Sequence, residues 1–289
     1  MTLKMKFAQA AASYDSAAVL AREVGKRLGE RLDYVHLTPR TMADVGCATG
    51  DGIADLQRRY PAALPLAIDY AWPMLAAVAA RSNWWARLRG RQAKCVNADV
   101  RALPLADDSI DLLWSNLMLH WLDAAGLQAA FTELQRVLAP GGLLQFALLG
   151  PDTLKALRNA GAPIHDFQDM HDIGDQLVAA GFSDPVMEME LLTLTYRSPR
   201  AFLADQRHLG VRDALLGQMS WQDWRQVLAA WPRQGEVLPA RFEIVYGHAW
   251  KPAADAVARL PQGQAQTVQS AQSVLRFHPS RPPHPADGQ

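Results

Sequence analysis

Three aspartates, Asp44, Asp69 and Asp99, each close a short apolar run, the place where a carboxylate can meet a bound ligand. Asp44 opens Asp44-Val45-Gly46-Cys47-Ala48-Thr49-Gly50, a D-x-G-x-x-x-G pattern and not G-x-G-x-x-G. Glycines in a strand-to-helix turn let backbone approach a ligand and permit positive φ. A pyrophosphate loop offers amides to an anion at a helix N-terminus. An acidic opening residue suits a cationic ligand bearing an amino acid better. Alone, the run reads equally as a tight βα turn. Asp69 stands 23 residues after Gly46. A carboxylate there accepts from ribose hydroxyls, or it caps the helix expected near Pro73. Asp99, in Asn97-Ala98-Asp99-Val100, can accept from an adenine amine beside a donating backbone amide, or be a turn aspartate. Open α/β sheets bind ligands at strand C-termini, so the three together describe one adenosyl site.

The elements that must position these residues alternate along the chain. Apolar runs at 41–45, 64–68, 94–98, 110–115 and 143–149 read as strands. The run at 110–115 is apolar enough for burial on both faces. Helices are expected at 52–60, 73–80 and 127–138, the last closed by Pro140-Gly141-Gly142. This alternation predicts a doubly wound parallel sheet with helices on both faces. Before it, residues 7–32 predict a short lead with Phe7 and Tyr14. An amphipathic helix capped by Asp15 or Ser16 follows, with Ala17, Leu20, Ala21, Val24 and Leu28 on one face.

After residue 150 the pattern changes. Helices are expected at 153–159 and 169–180, with a loop at 163–167 and Gly181 as a C-terminal cap. Strands are expected at 186–196 and 241–250. Ser198-Pro199 and Ser220-Trp221-Gln222-Asp223 read as helix starts between them. Residues 262–289 are rich in Gln, Ser, Pro and His and predict a disordered tail.

Composition narrows the class. The 289 residues are 49% hydrophobic and 20% charged, enough for a core without disulfide or metal. Lys plus Arg (29) equal Asp plus Glu (29), so no global field recruits nucleic acid or a membrane. Cys47 and Cys95 read as free thiols, and the N-terminus lacks a secretory apolar stretch. A cytoplasmic protein is expected.

ADVGCATG, LAID, NADVRALPLADDSIDLLWSNLMLHWLD and LQRVLAPGGLLQFALLG together resemble the successive motifs of class I S-adenosylmethionine-dependent methyltransferases, over roughly 41–150. The resemblance implies a Rossmann-like, doubly wound, mostly parallel seven-stranded sheet with an antiparallel edge hairpin, for which 186–196 and 241–250 are candidates. By motif position it implies that Asp44, Gly46, Cys47 and Gly50 line the methionine part of S-adenosyl-L-methionine. Asp69 would hold the ribose, with Tyr70 and Met74 near the adenosine; Asp99 and Val100 would hold adenine; Asn116 would lie near the methyl-transfer point. Ala48 departs from the pattern by replacing the commoner second glycine. Alanine is expected to fit that turn only with negative φ.

The segments FAQAAASYDSAAVLAREVGKRL, FQDMHDIGDQLVAAGFSDPVMEMELLTLTY and EVLPARFEIVYGHAW are similar to malonyl-acyl-carrier-protein O-methyltransferases of biotin synthesis, which extends the likeness to most of 7–252. It implies one domain over 1–261, with an N-terminal helical lid (1–35) and a helical insert (about 198–235). The lid would bring Tyr14 towards the donor methyl as a positioning residue; read alone, Tyr14 is a core aromatic. The implied partner is malonyl-loaded acyl carrier protein or malonyl-CoA. A malonyl carboxylate is already ionised near neutral pH, so the chemistry asks for alignment and water exclusion, not a base.

An arginine can grip such a carboxylate bidentately. Arg200 and Arg207 are the substrate-binding candidates, with Arg197 and His208 beside them; as a group they could instead meet an acidic carrier. His165, Asp166, Asp169, His171, Asp172 and Asp175 hold metal-ligand types, but Asp166 and Asp169 sit where helix caps belong, so no metal is expected. Tryptophans 221–231 are expected to pack a lid or edge, not to stack on nucleobases. The alternatives are a protein-modifying assembly factor of the complex I arginine-hydroxylase type, another small-molecule methyltransferase, and a non-catalytic cofactor-binding protein.

Overall fold

The structure, a computed structural model, describes residues 2–81 and 92–253. The sheet is built from β1 (Thr41–Val45), β2 (Leu64–Asp69), β3 (Lys94–Asn97), β4 (Ile110–Asn116), β5 (Leu138–Leu149), β6 (Ser183–Tyr196) and β7 (Leu238–Trp250). Its order is β3-β2-β1-β4-β5-β7-β6. The first five strands run parallel, and β7 lies antiparallel between β5 and β6. The expected Rossmann-like sheet with an antiparallel edge is therefore present.

Neighbouring residues on each strand enter opposite cores, as the two-residue pleat requires. Met42, Leu112 and Leu143 join one apolar cluster, whereas Ala43, Leu113 and Leu144 join the other. Helices cover both faces. They include α4 (Asp51–Arg59), α5 (Trp72–Arg81), α6 (Ala124–Val137), α7 (Lys155–Asn159) and α8 (Met170–Ala179). Asp169 caps α8 by accepting from His171 N at 2.8 Å, and Gly181 closes it with φ +91°.

Two expectations are corrected. The chain before β1 is not a lead followed by one helix. It forms α1 (Leu3–Ala10), α2 (Tyr14–Ala17) and α3 (Val19–Arg31), with Thr2 capping the first. Pro140-Gly141-Gly142 does not separate α6 from its strand. Those residues lie inside β5, which begins at Leu138. Pairing with β4 shifts from Ile110↔Leu138 to Leu112↔Leu143, so extra residues bulge outward. Gly141, at φ +77°, permits the bend, and its amide donates to Lys251 O.

Between β6 and β7 lie α9 (Pro199–His208), α10 (Arg212–Leu215) and α11 (Trp221–Ala230), where the insert is expected. Ser198 and Ser220 cap α9 and α11 as their sequences predict. Trp231 and Val227 are buried, but Trp221 is exposed. The expected tail at 262–289 lies outside the described residues.

Candidate functional site

A cavity of about 380 Å³ opens at the C-terminal ends of β1 to β4. Register explains the convergence: Val45 pairs with Ile68 and Asp69 with Asn97, so successive strand ends stand side by side. Gly46, Asp69, Tyr70, Met74, Asp99, Val100 and Asn116 from the motif positions line it, and so does Tyr14 from the N-terminal segment.

Asp69 organises the floor. Its buried carboxylate accepts from Ala71 N at 2.8 Å and Ala48 N at 3.1 Å. Burial raises its pKa, partly offset by those backbone donors. Asp99 is more exposed and pairs with Arg101 at 2.6 Å, which holds its carboxyl below the usual range. Arg101 also borders the cavity; the sequence reading missed it. Asn116 donates to Ala21 O of α3 at 2.8 Å, while its buried Oδ1 has no partner.

The turn after β1 is tight. Gly46 has φ +78°, and a Cβ there would lie 2.3 Å from Met118 Cγ. Ala48 has φ +45°, which corrects the expectation of a negative angle. The left-handed conformation crowds an alanine Cβ against the backbone and costs on the order of 1–2 kcal/mol. The same turn presents Ala48 N to Asp69.

The N-terminal helices roof the cavity. Phe7 of α1 meets Tyr70 edge-on at 6.4 Å and Trp121 at 6.5 Å. Burial and then Asp69 push the Tyr70 phenol up to about 12, so it stays a neutral donor. Tyr14 is raised further, with burial the largest cause and Asp69 next. Asp15 fastens this roof, accepting from Thr49 Oγ1 at 2.5 Å and pairing with Arg81 of α5.

Three expected ligand residues do not border this cavity. Asp44 is 2% exposed and lies beneath the turn, beside Gly52 and Trp114. Its carboxyl is raised to about 8, chiefly by burial and against the Ile53 backbone donor. Cys47 is buried, and burial holds its thiol well above its ordinary pKa. Gly50 caps α4 at φ +96°, and a Cβ there would meet Val78 at 2.9 Å. Its role in the fold is to let α4 and α5 approach.

A second, smaller cavity adjoins the first and shares Phe7, Tyr14, Leu117 and Trp121 with it. His120, Tyr196 and Gln206 supply its other polar groups. Leu117, which borders both cavities, has φ +54°, a strained angle at their junction. Sequence reasoning missed His120 and Gln206. The available signal for Gln206 was a polar residue on the apolar stripe Phe202, Gln206, Leu209. Arg197, Arg200, Arg207 and His208 are exposed and line neither cavity. The His/Asp cluster does not converge: His165 packs against Phe167 at 4.9 Å, Asp169 caps α8, and Asp166 faces Arg158 at 3.6 Å. Among the described residues, no three His, Cys, Asp or Glu could share a metal ion.

A parallel sheet with an antiparallel edge, and a cavity at its strand ends floored by Asp69, define a class I methyltransferase architecture. Residues 42–142 match the family model described as a methyltransferase domain. The fold is shared with a SAM-dependent methyltransferase from Thermotoga maritima (TM-score 0.51, 14% identity, 86% of this chain and 100% of that one). It is also shared with phosphoethanolamine N-methyltransferase 2 of Haemonchus contortus, solved with S-adenosyl-L-methionine (TM-score 0.52, 14% identity, 87% and 60%).

Closer likeness comes from sequence. The chain is 46% identical to the malonyl-[acyl-carrier protein] O-methyltransferase of Gallionella capsiferriformans, over 87% of this chain and 90% of that one. It is 42% identical to the enzyme of that name from Laribacter hongkongensis, over 97% and 96%. The chain belongs to the malonyl-[acyl-carrier protein] O-methyltransferase family. The arginine-hydroxylase alternative is not favoured by these relatives.

Proposed function

We propose that this protein transfers a methyl group from S-adenosyl-L-methionine to the free carboxylate of a malonyl thioester on acyl carrier protein, an early step of biotin synthesis. The observation that carries the reading is likeness to enzymes of that name over 87–97% of the chain, lid and insert included, not over the cofactor domain alone.

The cavity suits the donor by the chemistry of its walls. Asp69 and the unpartnered Asn116 Oδ1 are acceptors, as a ligand with hydroxyl, ammonium and sulfonium groups needs. Arg101, a cation on the wall, is already paired with Asp99, and Lys4 sits over the Tyr70 ring. Asp69 would hold the ribose, Tyr70 and Met74 the adenosine, Asp99 and Val100 the adenine, and Gly46 the methionine part. When bound, the donor supplies an electrophilic methyl. The protein aligns an already ionised carboxylate with it, and α1 and α2 exclude water. Tyr14, on the wall common to both cavities, positions the reacting groups.

For the carrier we propose the acyl carrier protein over coenzyme A. Arg200 and Arg207 lie seven residues apart on α9, exposed and without ion pairs among the described residues. They face away from Gln206 on the same helix and suit an acidic partner's surface. The same reading takes the reaction to be cytoplasmic, supported by Cys47 and Cys95 as free thiols, and carried by one domain over 1–261.

The test is mass spectrometry of malonyl-loaded carrier protein incubated with the enzyme and S-adenosyl-L-methionine. A gain of one methyl is expected; its absence with every malonyl thioester sinks the reading. Growth of a biotin auxotroph blocked at this step, restored by the gene, provides the matching test in cells.

A further inference from the structure

The second cavity has a volume of about 70 Å³. It admits a group of a few heavy atoms. Among the described residues, no Lys, Arg, Asp or Glu lines it.

Two of its polar side chains are more than nine-tenths buried and point to a ligand. Gln206 is 3% exposed, and its carboxamide has no hydrogen-bond partner among the described residues. It occupies a position on α9 that helical periodicity reserves for an apolar residue. The residue lines the cavity, where a ligand can supply the partner its carboxamide lacks. His120 is 7% exposed, on the turn Leu119–Trp121 that follows β4. Its Nδ1 accepts from Leu149 N at 3.4 Å. Burial pushes the ring down to about 3, so it is neutral. A neutral imidazole whose Nδ1 accepts carries its proton on Nε2. No hydrogen bond to that Nε2–H is found among the described residues.

We propose that this cavity seats the free carboxylate end of the malonyl group, and that the His120 Nε2–H and the Gln206 carboxamide orient it as neutral donors, with no cation in contact. The proposal rests on the methyltransferase reading above and adds to it the place and the ligands of the acceptor.

The chemistry favours such a seat. A carboxylate oxygen–carbon bond forms as the sulfur–carbon bond breaks. The electron pair stays on sulfur, and no proton moves. A cation and an anion become two neutral products, so charge shrinks on the way to the transition state. Surroundings that solvate charge strongly stabilise the reactants more; an uncharged, apolar cavity does not. A guanidinium would hold the attacking oxygen in an ion pair, whereas neutral donors fix its direction and leave it reactive. The small volume favours a short head such as a carboxymethyl group over the longer succinyl one, in a seat walled by Leu194, Leu215 and Phe242.

The experiment uses the full-length protein and malonyl-pantetheine, which removes the carrier from the comparison. Affinity for malonyl-pantetheine is measured by calorimetry on the S-adenosylhomocysteine complex, with kcat and KM alongside. Gln206→Met and His120→Asn are expected to weaken that affinity about tenfold each, with S-adenosylhomocysteine affinity unchanged. His120→Asn keeps an acceptor for Leu149 N but loses the Nε2 donor; His120→Gln, which restores a donor at that reach, should recover most of the loss. Unchanged affinity in both variants would overturn the proposal. The wild-type protein offers a second measurement that needs no variant to fold. Its kcat/KM for succinyl-pantetheine should fall about tenfold or more below that for malonyl-pantetheine, and parity would overturn the assigned seat. A wild-type protein that binds S-adenosylhomocysteine yet methylates no malonyl thioester would instead remove the parent reading.

Discussion

The two cavities meet at Tyr14 but are built in opposite ways. The larger stands on the ends of four consecutive parallel strands and carries the carboxylates of Asp69 and Asp99. The smaller is assembled from the N-terminal helices, the turn after β4, the ends of β5 and β6, β7 and the insert, and among the described residues it carries no formal charge. The difference follows from what each must do. A cofactor rich in donors and positive charge is held by acceptors fixed to a rigid sheet. An anion that must lose its charge in the reaction is oriented best where nothing charged holds it back.

The largest effect expected from this contrast comes from the floor of the larger cavity. Asp69→Ala removes a buried acceptor and also frees Ala48 N and Ala71 N. Hydrogen bonds to a charged group contribute about 1.5–3 kcal/mol each. S-adenosylhomocysteine affinity should therefore fall by about 100-fold, read by calorimetry, and the variant should fail to support a biotin auxotroph. Retained affinity would break the assignment of Asp69 to the ribose.

Asp44 sharpens the contrast from below the turn. Its carboxyl is raised from 3.8 to about 8, with burial the first cause. A raised carboxyl pKa means the folded state keeps a proton that the unfolded chain releases. The stability this confers is complete below about pH 4 and is lost as pH rises towards 8, at roughly 1.4 kcal/mol per pH unit. Asp44→Asn should flatten the pH dependence of the urea midpoint between pH 5 and 8. It should weaken S-adenosylhomocysteine binding far less than Asp69→Ala. Equal losses of binding would place Asp44 on the cavity after all.

The same contrast explains what the sequence makes legible. Asp69, Asp99, Asn116 and the turn at Gly46 each stand at or just past the end of a strand, so a short local pattern locates them and the parallel register brings them together. The run from Asp44 to Gly50 is legible as a turn but not by direction. Strand alternation sends Asp44 under the loop, and Cys47 and Gly50 pack inward. The second cavity has no local signature. His120 and Gln206 are 86 residues apart and meet only because the insert folds back across β6 and β7. Seeking a cation for the carboxylate singled out Arg200 and Arg207, which helix periodicity turns to solvent while Gln206 turns inward.

Those arginines test the outer side of α9 against its inner side. Arg200→Glu with Arg207→Glu should raise KM for malonyl-loaded carrier protein about fivefold at low salt, an effect that fades as salt screens the charges. KM for malonyl-pantetheine should not move. A rise for both substrates would bring the arginines into the acyl site, and no rise for either would remove them from carrier docking.

The smallest expected effect lies at Ala48, where the larger cavity departs from its own logic. Its φ of +45° strains an alanine, while the turn needs that angle to aim Ala48 N at Asp69. Glycine relieves the strain, of order 1–2 kcal/mol, but adds freedom to the unfolded chain that costs about 0.4–1 kcal/mol. The balance favours Ala48→Gly by up to about 1 kcal/mol, visible as a higher urea midpoint at unchanged slope. S-adenosylhomocysteine affinity should hold, because the amide and its carboxylate partner remain. A destabilised variant would mean that the alanine methyl packs against the roof strongly enough to outweigh its backbone strain.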